Sequence, residues 1–103
     1  MKEVKIHTLC PEIKDCYIIN EKGEIWNLNT GNKISTKVET DGYLRVSLMK
    51  YPKGTTYRQI HRLLMMAFSP VENMEKLQVN HKDGNKLNND LNNLEWVTCK
   101  QNI

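Results

Sequence analysis

The chain has 103 residues, 39% of them hydrophobic and 26% charged, with a formal net charge of +3 at pH 7. That balance belongs to an ordinary globular domain with one modest core, and it excludes the low-hydrophobicity, high-charge composition of a disordered chain. No apolar run approaches the ~18 residues of a membrane span, and the opening Met1-Lys2-Glu3-Val4-Lys5 lacks the apolar stretch of a signal peptide, so a soluble cytoplasmic protein is expected.

Cys10 and Cys16 come first, with Cys99 far away near the end. No C-x-x-C pair is present, which argues against a zinc ribbon or a disulfide framework and leaves the three thiols as reduced bystanders.

Residues 16–28 read as a β-hairpin. Cys16-Tyr-Ile-Ile leads into Asn20-Glu21-Lys22-Gly23, which is turn chemistry, and Glu24-Ile-Trp-Asn-Leu follows. A second strand pair is expected from Tyr43-Leu-Arg-Val-Ser-Leu-Met and Thr55-Thr-Tyr-Arg-Gln-Ile, separated by Pro52-Lys53-Gly54.

Most of the positive charge lies in this middle stretch. Lys33, Lys37, Arg45, Lys50, Lys53, Arg58 and Arg62 face only Glu39 and Asp41 between residues 32 and 62. If they share a face they form a surface that could track a phosphate backbone; otherwise they are an ordinary solvated face.

From His61 the period changes. Leu63, Leu64, Ala67 and Phe68 fall at helical offsets and Pro70 stands just past the end, which predicts a short buried helix over 61–68. His61 then starts a core helix, where a histidine with a structural role is the expected reading. Trp26 and Trp96 are expected as core anchors.

The last quarter is the most specific part. Gln78-Val-Asn-His81 reads as a strand ending in a histidine, Asp83-Gly84 opens an asparagine-rich loop, and Leu94-Glu-Trp-Val97 reads as a returning strand. Thr98 and Gln101 have capping-box spacing and predict a helix start, giving the order strand, loop, strand, helix. Taken alone, Asn80, Asn85, Asn88, Asn89, Asn92 and Asn93 could be turn formers and no more.

The fixed offsets of His81, Asp83-Gly84, Asn93-Leu94, Trp96-Val97-Thr98 and Asn102 make this segment resemble the HNH (ββα-metal) endonuclease family, in its phage and intron-encoded homing branch. The stretches Cys16–Leu28 and Gly42–Leu48 resemble the β module associated with such nucleases, and His61-Arg62-Leu63 resembles its linking helix. The resemblance implies an α+β fold, with a β-rich module over 1–70 that ends in a short helix. A ββα-metal motif would follow over 71–103, the two forming one compact unit.

It also implies metal-dependent hydrolysis of double-stranded DNA by nicking, leaving 5′-phosphate and 3′-hydroxyl ends. A histidine titrating near ~6.5 can take a proton from water at neutral pH, and a divalent cation offsets the charge of a phosphate that otherwise resists attack. By resemblance His81 is the general base, while Asn93 fixes the loop or orients the imidazole. Asn80 and Asn102 hold a divalent ion, Mg²⁺ or Mn²⁺. The seven basic residues of the middle stretch would hold the duplex, and the protein would be a monomer or weak dimer, encoded by a phage or mobile element and acting in the host cell.

Two features depart from the family pattern. Asn80 replaces the aspartate of many relatives, leaving two neutral amide ligands, and the chain ends one residue after Asn102. They motivate a competing reading, a DNA-binding protein with a decayed or truncated HNH site. A third reading is an interaction module with no nucleic-acid role.

Overall fold

Glycine, asparagine and proline cut the chain into short strands around a nine-residue helix. The computed structural model describes residues 2–99. Strand β1 (Glu3–Lys5), a single helical turn α1 (Ile6–Leu9), β2 (Tyr17–Asn20) and β3 (Ile25–Asn27) come first, and the three strands form an antiparallel sheet in that order. The β2–β3 turn falls at Asn20–Gly23 as its residues predict. Gly23 N–H donates to Asn20 O at 2.9 Å, and Asn20 Oδ1 accepts from the N–H groups of Lys22 and Glu24.

Gly23 is required on two counts. Its φ is +79°, and a Cβ there would lie 3.0 Å from Ile60 Cγ2 and 3.3 Å from Leu64 Cδ1. Gly23→Ala should therefore destabilise the fold by about 2 kcal/mol, backbone strain and overpacking combined, read from the denaturant midpoint. A midpoint equal to wild type would contradict the packing described.

A second antiparallel sheet is built from β4 (Thr36–Val38), β5 (Leu44–Met49) and β6 (Thr55–Gln59), with β5 central. Alternation along β5 buries Val46 and Leu48 and turns Arg45 and Ser47 outward, beside Lys37 and Tyr57 of the neighbouring strands. Helix α2 (Ile60–Phe68) begins one residue before the expected position and closes at Ser69, whose N–H donates to Met65 O, just before Pro70. Its inner face, Ile60, Leu63 and Leu64, is at most 1% exposed. Burying each such side chain contributes roughly 1.5–3 kcal/mol.

The third sheet is the hairpin of β7 (Gln78–His81) and β8 (Leu94–Val97). Val79 and Leu94 join Ile6, Ile19, Ile25, Leu48 and Leu64 in one buried cluster, so α2 packs against all three sheets. The architecture is α+β, as expected.

The structure differs from the expectations in three places. β1, α1 and β4 were not foreseen: the strands have three residues each and β4 is exposed throughout, so no alternation marks it. Trp26 is not a core anchor, because it sits on the outer side of β3 between the buried Ile25 and Asn27; Trp96 packs against the core. The helix expected after Thr98, with Gln101 and Asn102, lies outside the described residues. Cys10, Cys16 and Cys99 are free thiols, and among the described residues no helix is long and apolar enough to cross a membrane.

Candidate active site

The β7–β8 register pairs Asn80 with Glu95 and His81 with Leu94. Alternation then sends Val79 and His81 toward α2, and Gln78 and Asn80 to the opposite face. His81 is 5% exposed and sits in a stack of rings. Its centroid is 4.9 Å from that of His61 on α2 and 6.0 Å from that of Tyr43, and Tyr43 stacks on His61 at 5.0 Å. Lys86 reaches back from the loop, its Nζ 4.8 Å over the Tyr43 ring and 2.7 Å from Asp41 O. The histidine is thus mounted on the core, at the point where strand gives way to loop.

Its Nε2 lies 2.7 Å from Asn89 Oδ1. An amide oxygen only accepts, so Nε2 carries the proton in this arrangement and Nδ1 holds the basic lone pair. Asn89, not Asn93, is the loop residue bonded to the imidazole.

Asn93 instead ties the loop together. Its Nδ2 donates to Asp83 Oδ1 and to Asn88 O, both at 2.9 Å, while its Oδ1 accepts from Asp83 N–H at 3.1 Å. Asp83 is the hub: its carboxylate also accepts from Asn88 Nδ2 and from Asn85 N–H, each at 2.8 Å. These bonds, that from Asn88 foremost, hold its pKa below the usual carboxylate range. Asn93→Ala should cost about 1–3 kcal/mol by leaving these groups unpaired, measurable as a lowered melting temperature. An unchanged melting temperature would show the loop to be held by other contacts.

The asparagines therefore divide by task. Asn85 and Asn88 are turn formers, accepting N–H groups two residues on, and Asn92 donates its N–H to Asp90 Oδ1. Asn80 stands apart on the strand, its Nδ2 donating to Glu95 Oε2 at 2.8 Å. No sequence offset points to Glu95 or Asn89, because their placement depends on hairpin register and loop shape.

His61 is buried and its Nδ1 has no partner among the described residues. Burial, with smaller contributions from the neighbouring His81, Arg62 and Arg45, lowers its pKa to about 4. It is neutral at physiological pH.

Four of the seven basic residues are already engaged. Lys33 pairs with Glu24 at 2.7 Å, Arg58 pairs with Glu12, and Arg62 donates to Leu77 O and Met74 O while lying over the Trp96 ring. Arg45 forms a two-pronged pair with Asp41, which pulls that carboxyl down to about 2. Lys37, Lys50 and Lys53 form no ion pair among the described residues. Lys37 and Arg45 are cross-strand neighbours on the outer face of the second sheet; Arg58 pairs with Val46 on the inner side.

The donor set suits a hard divalent cation. With Nδ2 committed to Glu95, Asn80 presents Oδ1, and a carboxylate stands beside it. Among the described residues no group of three or more His, Cys, Asp or Glu could hold a metal, so the strand offers only part of a shell. Mg²⁺-like ions keep several waters and need few protein ligands, which such a set satisfies.

Residues 58–103 match the family model for HNH endonuclease. Over 88 residues the chain is 42% identical to the DNA endonuclease I-HmuI of Bacillus phage SP01, covering 84% of this chain and 49% of that protein. It is 36% identical over 90 residues to the H-N-H endonuclease F-TflI of Escherichia phage T5, covering 84% and 45%. The chain thus spans about half the length of these curated relatives. The fold matches a solved structure of I-HmuI, described as an HNH homing endonuclease that binds and cleaves DNA. There the TM-score is 0.81 and the identity 36%, over 99% of this chain and 55% of that one. With a histidine ending one strand of a two-stranded hairpin and an asparagine closing its loop, residues 58–103 carry the pattern of the HNH endonuclease family, and the chain as a whole is similar to members of it.

Proposed function

We propose that the protein is a metal-dependent HNH endonuclease that nicks double-stranded DNA, with His81 as general base. The observation that carries this reading is the mounting of His81: a buried imidazole, packed on His61, whose Nε2 is held by Asn89 so that Nδ1 is the basic nitrogen. The family pattern and the likeness to I-HmuI support DNA as substrate.

In the proposed reaction water attacks phosphorus in line and His81 Nδ1 takes its proton. The P–O3′ bond breaks, leaving a 5′-phosphate and a 3′-hydroxyl once the leaving oxygen is protonated. A divalent ion, Mg²⁺ or Mn²⁺, would supply charge stabilisation at the phosphate and the leaving oxygen. Asn80 and Asn102 would hold it. Asn93 acts on the loop rather than on the base, keeping Asn89 in place through the Asp83 hub. Lys37, Lys50 and Lys53, free of ion pairs among the described residues, would contact the duplex backbone first. Lys33, Arg45, Arg58 and Arg62 would have to exchange carboxylate or carbonyl partners for phosphate.

One His81 site in a monomer cuts one strand, and a double-strand break would take a dimer or two encounters. The phage origin of the relatives suggests action on DNA within a host cell. A supercoiled-plasmid assay tests the reading: conversion to open circles with Mg²⁺ or Mn²⁺, none with chelator. Duplex binding without any conversion would favour a binding protein with an inactive site, and no retention of duplex at low salt would remove the nucleic-acid role altogether.

A further inference from the structure

Sequence spacing leaves the cation site with two neutral amides and no negative charge. The hairpin register changes this, because it sets Glu95 directly across from Asn80 on the face opposite the core. Asn80 Nδ2 donates to Glu95 Oε2 at 2.8 Å, and both side chains are partly exposed. Among the described residues no lysine or arginine pairs with Glu95, so its charge is uncompensated there.

We propose that Glu95 supplies the missing carboxylate of the divalent-cation site. One oxygen holds the Asn80 amide by its N–H and turns Oδ1 outward, and the other oxygen is left to bind the ion directly or through a water. Both effects act in one direction. A hydrogen bond to a ligand's far side fixes its orientation and strengthens its donor atom, and an anionic oxygen attracts a hard cation more than an amide does. The competing account is a plain cross-strand polar pair, which would add roughly 0.2–1 kcal/mol to the hairpin and nothing to metal affinity.

Glu95→Gln separates the two accounts. Glutamine retains a carbonyl oxygen for the Asn80 N–H but carries no charge. The inference rests on Asn80 being a ligand, so Asn80→Ala is measured beside it. The full chain is titrated with Mn²⁺ alone, and the free ion is followed by electron paramagnetic resonance, with a melting curve for each variant.

The expected result is a Kd for Mn²⁺ raised about 10-fold or more by Glu95→Gln at unchanged melting temperature. Asn80→Asp in the Glu95→Gln background should recover the affinity, since it returns a carboxylate to the same pair. Wild-type affinity in Glu95→Gln together with weakened binding in Asn80→Ala overturns the role of Glu95 and leaves Asn80 as a ligand. Wild-type affinity in both variants, or no saturable Mn²⁺ binding by the wild type, overturns the role of both residues.

Discussion

Replacing His81 with alanine should lower the rate of plasmid nicking by about 10²–10⁴-fold, the range supplied by a positioned general base, while duplex affinity stays at the wild-type level. The separation follows from the geometry. The His81 ring is packed inward against His61 and Tyr43 and is distinct from the exposed lysines proposed to meet the backbone, so its loss removes a proton acceptor and leaves those lysines in place. Truncating a buried ring also opens a void, so the variant must be shown folded at the assay temperature by circular dichroism. Asn89→Ala leaves the imidazole but releases its Nε2, and should cost less, up to about 10²-fold, the scale of a misplaced catalytic group. Wild-type nicking by a folded His81→Ala protein would sink the assignment of the base.

The second large effect is on stability. Unfolded, His61 titrates near 6.5; folded, its pKa is lowered to about 4 by burial. Between those values the unfolded chain binds a proton that the folded chain refuses. The contribution is therefore fully present above about pH 6.5 and is lost as pH falls toward 4, and no further loss from this group follows below that. The interval corresponds to about 3 kcal/mol, enough to bring a small domain near its unfolding threshold. Urea titrations at several pH values across this window measure it. His61→Phe keeps a ring between Tyr43 and His81 but cannot titrate, so the difference between the two proteins should grow in favour of phenylalanine as pH falls. Parallel curves would show that other groups set the acid sensitivity.

Local patterns carried much of the fold. The Asn20–Gly23 turn, the strands on either side of Pro52-Lys53-Gly54, and α2 with its stop at Pro70 all follow from turn chemistry and periodicity. What escaped was short or non-local. β1 and β4 are held by pairing with β2 and β5 rather than by any preference of three residues. Within the site, His81 and Asn93 could be named from their spacing. The partners that give them meaning could not, because Asn89 meets the imidazole through loop shape and Glu95 meets Asn80 through register. Charge was the most misleading signal. Counting lysines and arginines could not show that Arg45 faces Asp41 or that Arg62 is spent on two carbonyls.

The loop between β7 and β8 closes almost wholly on itself, through Asp83, Asn85, Asn88 and Asn93. Its fastenings to the rest of the molecule among the described residues include Asn89 on His81, Lys86 on Asp41 and Tyr43, the Gly84 N–H on His81 O, and Leu91 against the core. Such a segment is a cassette with a few plugs. Residues 82–93 could be exchanged for the equivalent piece of another hairpin nuclease, or lengthened at the exposed Leu87, without moving the imidazole, provided these plugs, Leu91 among them, find their sockets.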